Sequence, residues 1–194
     1  MKLDIILSGV GGQGILSIST IIGAAAVKKG LFLKQAEVHG MSQRGGEVQS
    51  HLRISDKPIY ADLIPKGKAN LIISVEPMES LRYLPFLRKD GWLITNTKPF
   101  VNISNYPPIE EILNDVKKVP QHIIIEADKI AKEMGSAQVM NIVMLGAASE
   151  FMTIEIEDLK DAIKKVFGSK GDKVVEMNLL AFEKGKEYSL EHKK

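Results

Sequence analysis

The sequence contains no cysteine. That absence excludes disulfides, a thiol nucleophile and any cysteine-ligated iron–sulfur cluster carried by this chain itself. If the protein takes part in electron transfer, another chain carries the clusters. A surplus of one charge is also missing. Lysine and arginine total 26 against 24 for aspartate and glutamate, and the net charge of +2 gives no broad field to draw in nucleic acid or an acidic membrane. Neither is expected as a partner. There is no internal repeat, low-complexity tract or interdomain linker. With 194 residues and 44% hydrophobic content, the chain can form one domain with a substantial core but not two of ordinary size. Long apolar helices are scarce too. No charge occurs between Asp4 and Lys28, which raises a membrane span or a signal segment with small residues at Ala24, Ala25 and Ala26. The glycines at 9, 11, 12 and 14, together with Gln13, break the continuous apolar helix that either would need. A cytoplasmic location is expected.

What the sequence does have is a strand and glycine turn near its start, Ile5-Ile6-Leu7-Ser8-Gly9-Val10-Gly11-Gly12-Gln13-Gly14. An apolar run entering a turn with glycines at Gly9, Gly11 and Gly14, followed by helix formers, is the strand-turn-helix that cradles phosphate groups. Glycines let the backbone turn tightly and approach a ligand, while the unpaired N–H groups at the helix start offer an anion the positive end of the dipole. The plainer reading is that the glycines only let helix and strand pack closely.

The helix after the turn carries Ile15, Ile18, Ile22 and Ala25 or Ala26 at helical spacing, with Lys28 and Lys29 in its last turn and Gly30 as its cap. The next strand spans Leu31 to Val38. A nicotinamide-binding fold would place an acid near its end to hold the ribose hydroxyls; Phe32, Leu33 and Lys34 stand there instead and Glu37 comes late, which weakens a NAD reading. The polar loop His39-Gly40-Met41-Ser42-Gln43-Arg44-Gly45-Gly46 is the second unusual stretch. Arg44 offers a planar fork of donors for phosphate or carboxylate, and Gly45 and Gly46 let backbone N–H groups approach the same anion. The alternative is a tight connection whose arginine is solvated or pairs with Glu47. His39 and His51 have no companions at ligand spacing, so no metal site is expected.

Val48, Ser50, Leu52 and Ile54 alternate with polar residues at the period of a strand. The loop before it is too short for a parallel crossover, so this strand pairs antiparallel with its predecessor and the sheet is mixed. Tyr60 to Lys68 reads as irregular chain. Leu71 to Val75 is a buried strand ended by Glu76-Pro77 and followed by a short helix through Tyr83. Asp90-Gly91 turns into a strand from Trp92 to Asn96. Pro99 to Pro108 is a long loop, Ile109 to Lys118 a helix and His122 to Glu126 the last buried strand. From Ala127 the pattern is helical, with Val139, Ile142, Val143 and Leu145 as an apolar stripe and Met140 and Met144 as core packing. Charged amphipathic helices near Ile156 to Phe167 and Asp172 to Tyr188 close the chain, their lysines forming a solvated face. The expected fold is a single Rossmann-like α/β domain over 1–194, three-layered, with a mostly parallel, mixed sheet and amphipathic helices at about 150–190.

Gly9-Val-Gly-Gly-Gln-Gly14, Glu37-Val-His-Gly-Met-Ser-Gln-Arg-Gly-Gly46, Leu63-Ile-Pro-Lys-Gly67 and Glu76 after a buried strand together resemble the gamma-type subunits of 2-oxoacid:ferredoxin oxidoreductases. Within that family they look most like the small subunits of the indolepyruvate enzymes. The resemblance covers the chain through Gly146. It implies a subunit of an enzyme that decarboxylates a 2-oxoacid on thiamine diphosphate, passes electrons through iron–sulfur clusters to ferredoxin and makes an acyl-coenzyme A. Thiamine diphosphate, its magnesium and the clusters are then expected on a larger alpha subunit. The absence here of cysteine, and of a Gly-Asp-Gly turn followed by asparagine, agrees. No catalytic residue is assigned to this chain. The candidate ligand residues are Gly9, Gly11, Gly12, Gln13, Gly14, Arg44, Gly45 and Gly46, and the expected ligand is the phosphates of coenzyme A. Competing readings are a subunit acting on pyruvate, 2-oxoglutarate or a branched-chain 2-oxoacid, a free-standing oxidoreductase using NAD or a flavin, and a structural subunit with a vestigial turn.

Overall fold

A computed structural model of the chain describes residues 1–40 and 45–193. Six strands form one sheet: β1 (Lys2–Val10), β2 (Phe32–His39), β3 (Glu47–Ser55), β4 (Ala69–Ser74), β5 (Leu87–Asn96) and β6 (His122–Ile125), in the spatial order β2-β3-β1-β4-β5-β6. β1, β4, β5 and β6 pair in parallel. β3 runs antiparallel to both of its neighbours, as the short β2–β3 loop requires. β1 sits centrally and is buried on both faces from Leu3 to Val10, which is why it reads as a continuous apolar run rather than an alternating one.

The helices are α1 (Ile15–Lys28), α2 (Pro77–Arg82), α3 (Ile109–Val116), α4 (Ala127–Glu133), α5 (Met140–Ser149), α6 (Ile156–Phe167) and α7 (Asp172–His192). Leu3, Ile5 and Leu7 of β1 pack with α1, α4, α5, α6 and α7 in the main core. On the other face Ile6, Ile72 and Leu93 meet Ile64, Tyr83 and Val116 in a smaller cluster, so α2, α3 and the irregular segment 58–68 form the third layer. Arg53 pins that segment by donating to the carbonyls of Ala61 and Leu63 at 2.8 and 3.1 Å, while its Nε donates to Asp4 Oδ1 at 2.8 Å. His51 Nδ1 accepts the Ile64 N–H at 3.0 Å. Burial, reinforced by the charge of Arg53, lowers the His51 pKa and keeps it a neutral acceptor.

Two elements differ from the sequence expectation. β5 begins at Leu87 and takes in Asp90 and Gly91, with a register irregularity against Ala69 and Leu71; the glycine marks a bulge inside the strand, not a turn before it. α5 is buried over all ten residues and has no solvent side for a stripe to oppose. α7 approaches it so closely that a Cβ on Gly146 would lie 2.0 Å from the Phe182 carbonyl oxygen, and one on Gly185 would lie 1.9 Å from that of Val143. The lysines ending α1 are tied to α6: Lys28 Nζ lies 2.9 Å from Asp161 and Lys29 Nζ 3.0 Å from Asp158. No helix of the described residues is long and apolar enough to cross a membrane.

Candidate functional site

The glycine turn lies at the carboxyl edge of the sheet, between β1 and α1. Gly12 has φ +99° and Gly14 φ +81°, conformations that a residue with a Cβ adopts only at a cost. The Gln13 N–H donates to the Val10 carbonyl at 3.2 Å, and the positive φ at Gly12 is what a type II turn demands at its third position. Gln13 also folds back, its Oε1 accepting the Val10 N–H at 2.8 Å. Gly14 is the N-cap of α1, and Asn141 Nδ2 of α5 donates to its carbonyl at 3.1 Å. Among the described residues, the N–H groups of Gly12, Gly14, Ile15 and Leu16 meet no acceptor, which leaves four donors at the positive end of the helix dipole.

The sequence-derived residues separate into roles. Gly9 lies inside β1, where a Cβ would fall 2.3 Å from Val75 Cγ2; it is a packing position. Gly11 donates its N–H to the Gly46 carbonyl at 2.9 Å. The second loop is thus a direct neighbour of the turn, although Gly46 presents it with a carbonyl and uses one N–H that the sequence reading left for a ligand. Gly45 has φ +77°, and its carbonyl accepts from Asn102 Nδ2 at 2.5 Å. Arg44 lies outside the described residues.

On its far side the turn borders a cleft of about 560 Å³ between the start of α5 and the junction of α6 and α7. Gly12, Gly14, Ser17 and Asn141 form one wall, and Lys170 and Lys173 reach it from the other. Neither lysine is paired with a carboxylate among the described residues, and Lys170 Nζ lies 5.3 Å from the centre of the Phe167 ring. Met140 is buried but lines this cleft, whereas Met144 is entirely core. Sequence reasoning assigned Lys173 to a solvated face and gave Lys170, between the two helices, no role. They lie more than 150 positions beyond the turn, so only the packing of α7 on α5 brings them to it.

A second polar cluster flanks the Gly45–Gly46 loop. Glu76 is 1% exposed and caps α2, its Oε2 accepting the Glu79 N–H at 2.9 Å. Its Oε1 accepts the Phe100 N–H at 3.2 Å and the Tyr106 hydroxyl. Burial and the bond to Glu76 raise the Tyr106 pKa, so its proton stays on the phenol. Tyr83 likewise donates to Glu47, and its pKa is raised by burial and that bond. Burial raises the Glu79 pKa against the opposing effect of Arg82, whose Nε donates to it at 2.8 Å.

Residues 4–188 match the family model described as pyruvate ferredoxin/flavodoxin oxidoreductase. The chain belongs to this family. It is 40% identical over 194 residues to the indolepyruvate oxidoreductase subunit IorB of Archaeoglobus fulgidus, with 95% of this chain and 94% of that protein covered. Among solved structures it resembles the keto/oxoacid ferredoxin oxidoreductase gamma subunit from Geobacter sulfurreducens, at 26% identity and TM-score 0.71, covering 97% of this chain and 99% of that one. It also resembles a 2-oxoglutarate:ferredoxin oxidoreductase from Magnetococcus marinus with 2-oxoglutarate, coenzyme A and succinyl-CoA bound, at 26% identity and TM-score 0.79. All of this chain, but only 32% of that longer one, is covered. The chain shares its α/β fold with that gamma subunit, and these relatives are themselves named as subunits.

Proposed function

We propose that this protein is the small subunit of an indolepyruvate:ferredoxin oxidoreductase. The complex takes an arylpyruvate and coenzyme A to carbon dioxide and an aryl-acetyl-CoA, passing two electrons to ferredoxin. The observation that carries the reading is the 40% identity, along nearly the whole of both chains, to a subunit named for indolepyruvate. Cluster chemistry needs thiolates, and a chain without cysteine cannot supply them. Thiamine diphosphate, its metal and the clusters are therefore assigned to a larger alpha partner, which also meets ferredoxin.

The part assigned to this chain is anion binding. The free N–H groups of Gly12, Gly14, Ile15 and Leu16, with Lys170 and Lys173 across the cleft and Arg44 on the neighbouring loop, are read as the site for phosphates of coenzyme A. Donors from a helix start and cations on separate elements suit a ligand with several phosphates better than a single carboxylate. The test is reconstitution. The chain alone should show no turnover with arylpyruvate, coenzyme A, thiamine diphosphate and a viologen acceptor. With the larger subunit, kcat/KM should be highest for an arylpyruvate. Turnover without a second protein, or a clear preference for pyruvate, overturns the reading.

A further inference from the structure

Glu76 is a buried carboxylate, 1% exposed. Among the described residues nothing basic pairs with it, and three donors alone satisfy it: the N–H groups of Glu79 and Phe100 and the hydroxyl of Tyr106. Burying such a charge is costly, and capping a six-residue helix does not require it. One oxygen does the capping, and a serine or aspartate would serve there. The second oxygen is committed elsewhere, at two points of the long loop after β5.

That loop has no helix or strand to shape it. Lys98 ties its start to Asp128 at 3.1 Å and a turn forms at Ser104 and Asn105; the fixtures at Phe100 and Tyr106 stand on either side of that turn. Between them Asn102 donates from Nδ2 to the Gly45 carbonyl at 2.5 Å, and the next carbonyl, Gly46, accepts from Gly11 of the glycine turn at 2.9 Å. At its base the same loop is closed by the Gly40 N–H donating to the Glu47 carbonyl.

We infer that Glu76 is a positioning residue: through Phe100 and Tyr106 it fixes the loop after β5, whose Asn102 holds the Gly45–Gly46 backbone against the glycine turn. The inference rests on the reading of that turn and loop as the coenzyme A site. Glu76 touches no ligand in this scheme. It sets where the Gly45–Gly46 backbone stands, and it should govern affinity for coenzyme A rather than the chemical step.

The test uses the reconstituted complex and measures kcat together with separate KM values for coenzyme A and the 2-oxoacid. Asn102→Ala and Tyr106→Phe each remove one contact of the relay and leave the core intact. Each should raise KM for coenzyme A about threefold to tenfold, the weight of one hydrogen bond, with kcat and the 2-oxoacid KM nearly unchanged. Glu76→Gln turns one acceptor into a donor facing donors and should do at least as much. Arg44→Ala serves as the direct variant of the site. If Arg44→Ala raises KM for coenzyme A while Asn102→Ala and Tyr106→Phe do not, the relay is wrong and the anion site stands. If none of them moves it, the site reading falls and the relay with it. Loss of assembly, or a fall in kcat at constant KM for coenzyme A, overturns the positioning role and assigns the loop to an interface or to folding.

Discussion

Gly185→Ala sets two known effects against each other at one position. In the interior of an exposed helix, alanine is better than glycine by about 1 kcal/mol, so by propensity alone α7 should gain. At this site, however, the new Cβ would lie 1.9 Å from the Val143 carbonyl oxygen, 2.8 Å from its carbon and 2.9 Å from the Ala147 nitrogen. All three are backbone atoms of α5, so no rotamer change relieves the contact, and the helices must part by about 1.5 Å to restore van der Waals distance. Overpacking of this kind costs about 1–3 kcal/mol, occasionally more. The contact should win, leaving a net loss of about 1 kcal/mol and a Tm lowered by roughly 2–4 °C for a chain of this length. Urea unfolding at constant m-value and calorimetry would measure it. Gly168→Ala is the control: nothing lies within 4 Å of its added Cβ, and stability should change by no more than about 0.5 kcal/mol. A Gly185→Ala protein more stable than wild type would refute the close crossing of α5 and α7, and with it the route by which Lys170 and Lys173 reach the glycine turn.

Two further outcomes concern the opposite face of the sheet. Arg53→Met leaves Asp4, which is 1% exposed, with only the solvent-exposed Lys2 as a cationic partner at 3.0 Å, and should cost about 3 kcal/mol, the low end for breaking a buried pair, whereas adding Asp4→Leu should recover much of that loss because no buried charge then remains; equal instability of the single and double variants would contradict it. His51 is neutral in the fold with its pKa lowered below 6.5, so its contribution is complete above pH 6.5 and is lost as pH falls from there to the folded pKa, while the unfolded chain takes up a proton that the native state refuses. His51→Asn, which keeps an acceptor for the Ile64 N–H, should flatten the dependence of unfolding free energy between about pH 7.5 and 5.5 relative to wild type, and identical slopes would show that His51 does not carry it.

Local chemistry made the larger elements of the fold legible. The apolar run through Ile5, Ile6 and Leu7 announces a central strand, and the loop after His39 is too short for anything but an antiparallel return. Residues whose surroundings come from distant segments were harder to read. Val139, Ile142, Val143 and Leu145 suggested a stripe, yet α5 is covered on every side because α7 folds back over it, and the glycines permitting this, Gly146 and Gly185, are separated by a loop and a whole helix. Asp90-Gly91 has the composition of a turn, and only the pairing with β4 reveals a bulge. Within the site, the turn at Gly12 and Gly14 was visible from spacing. The contact of Asn141 with Gly14, and the arrival of Lys170 at the same cleft, are tertiary accidents of sequence. Glu76 carried a hint: an acid between a buried strand and Pro77, where N-caps occur. Its second allegiance, to Phe100 and Tyr106, had no local signature.

The hairpin of β2 and β3 has a consequence for how this family can vary. Its ladder runs without a break from Phe32↔Ser55 to His39↔Val48, and β2 points the same way as β1, so the ladder ends at the carboxyl edge of the sheet. Residues inserted or deleted at the hairpin tip leave every strand pairing, and every buried side chain of β3, in register. Their entropic cost grows slowly, by about 0.6 kcal/mol for each doubling of loop length. The length of the tip is therefore nearly independent of folding, and the neighbourhood of the glycine turn can be reshaped by changing it while the scaffold stays as it is.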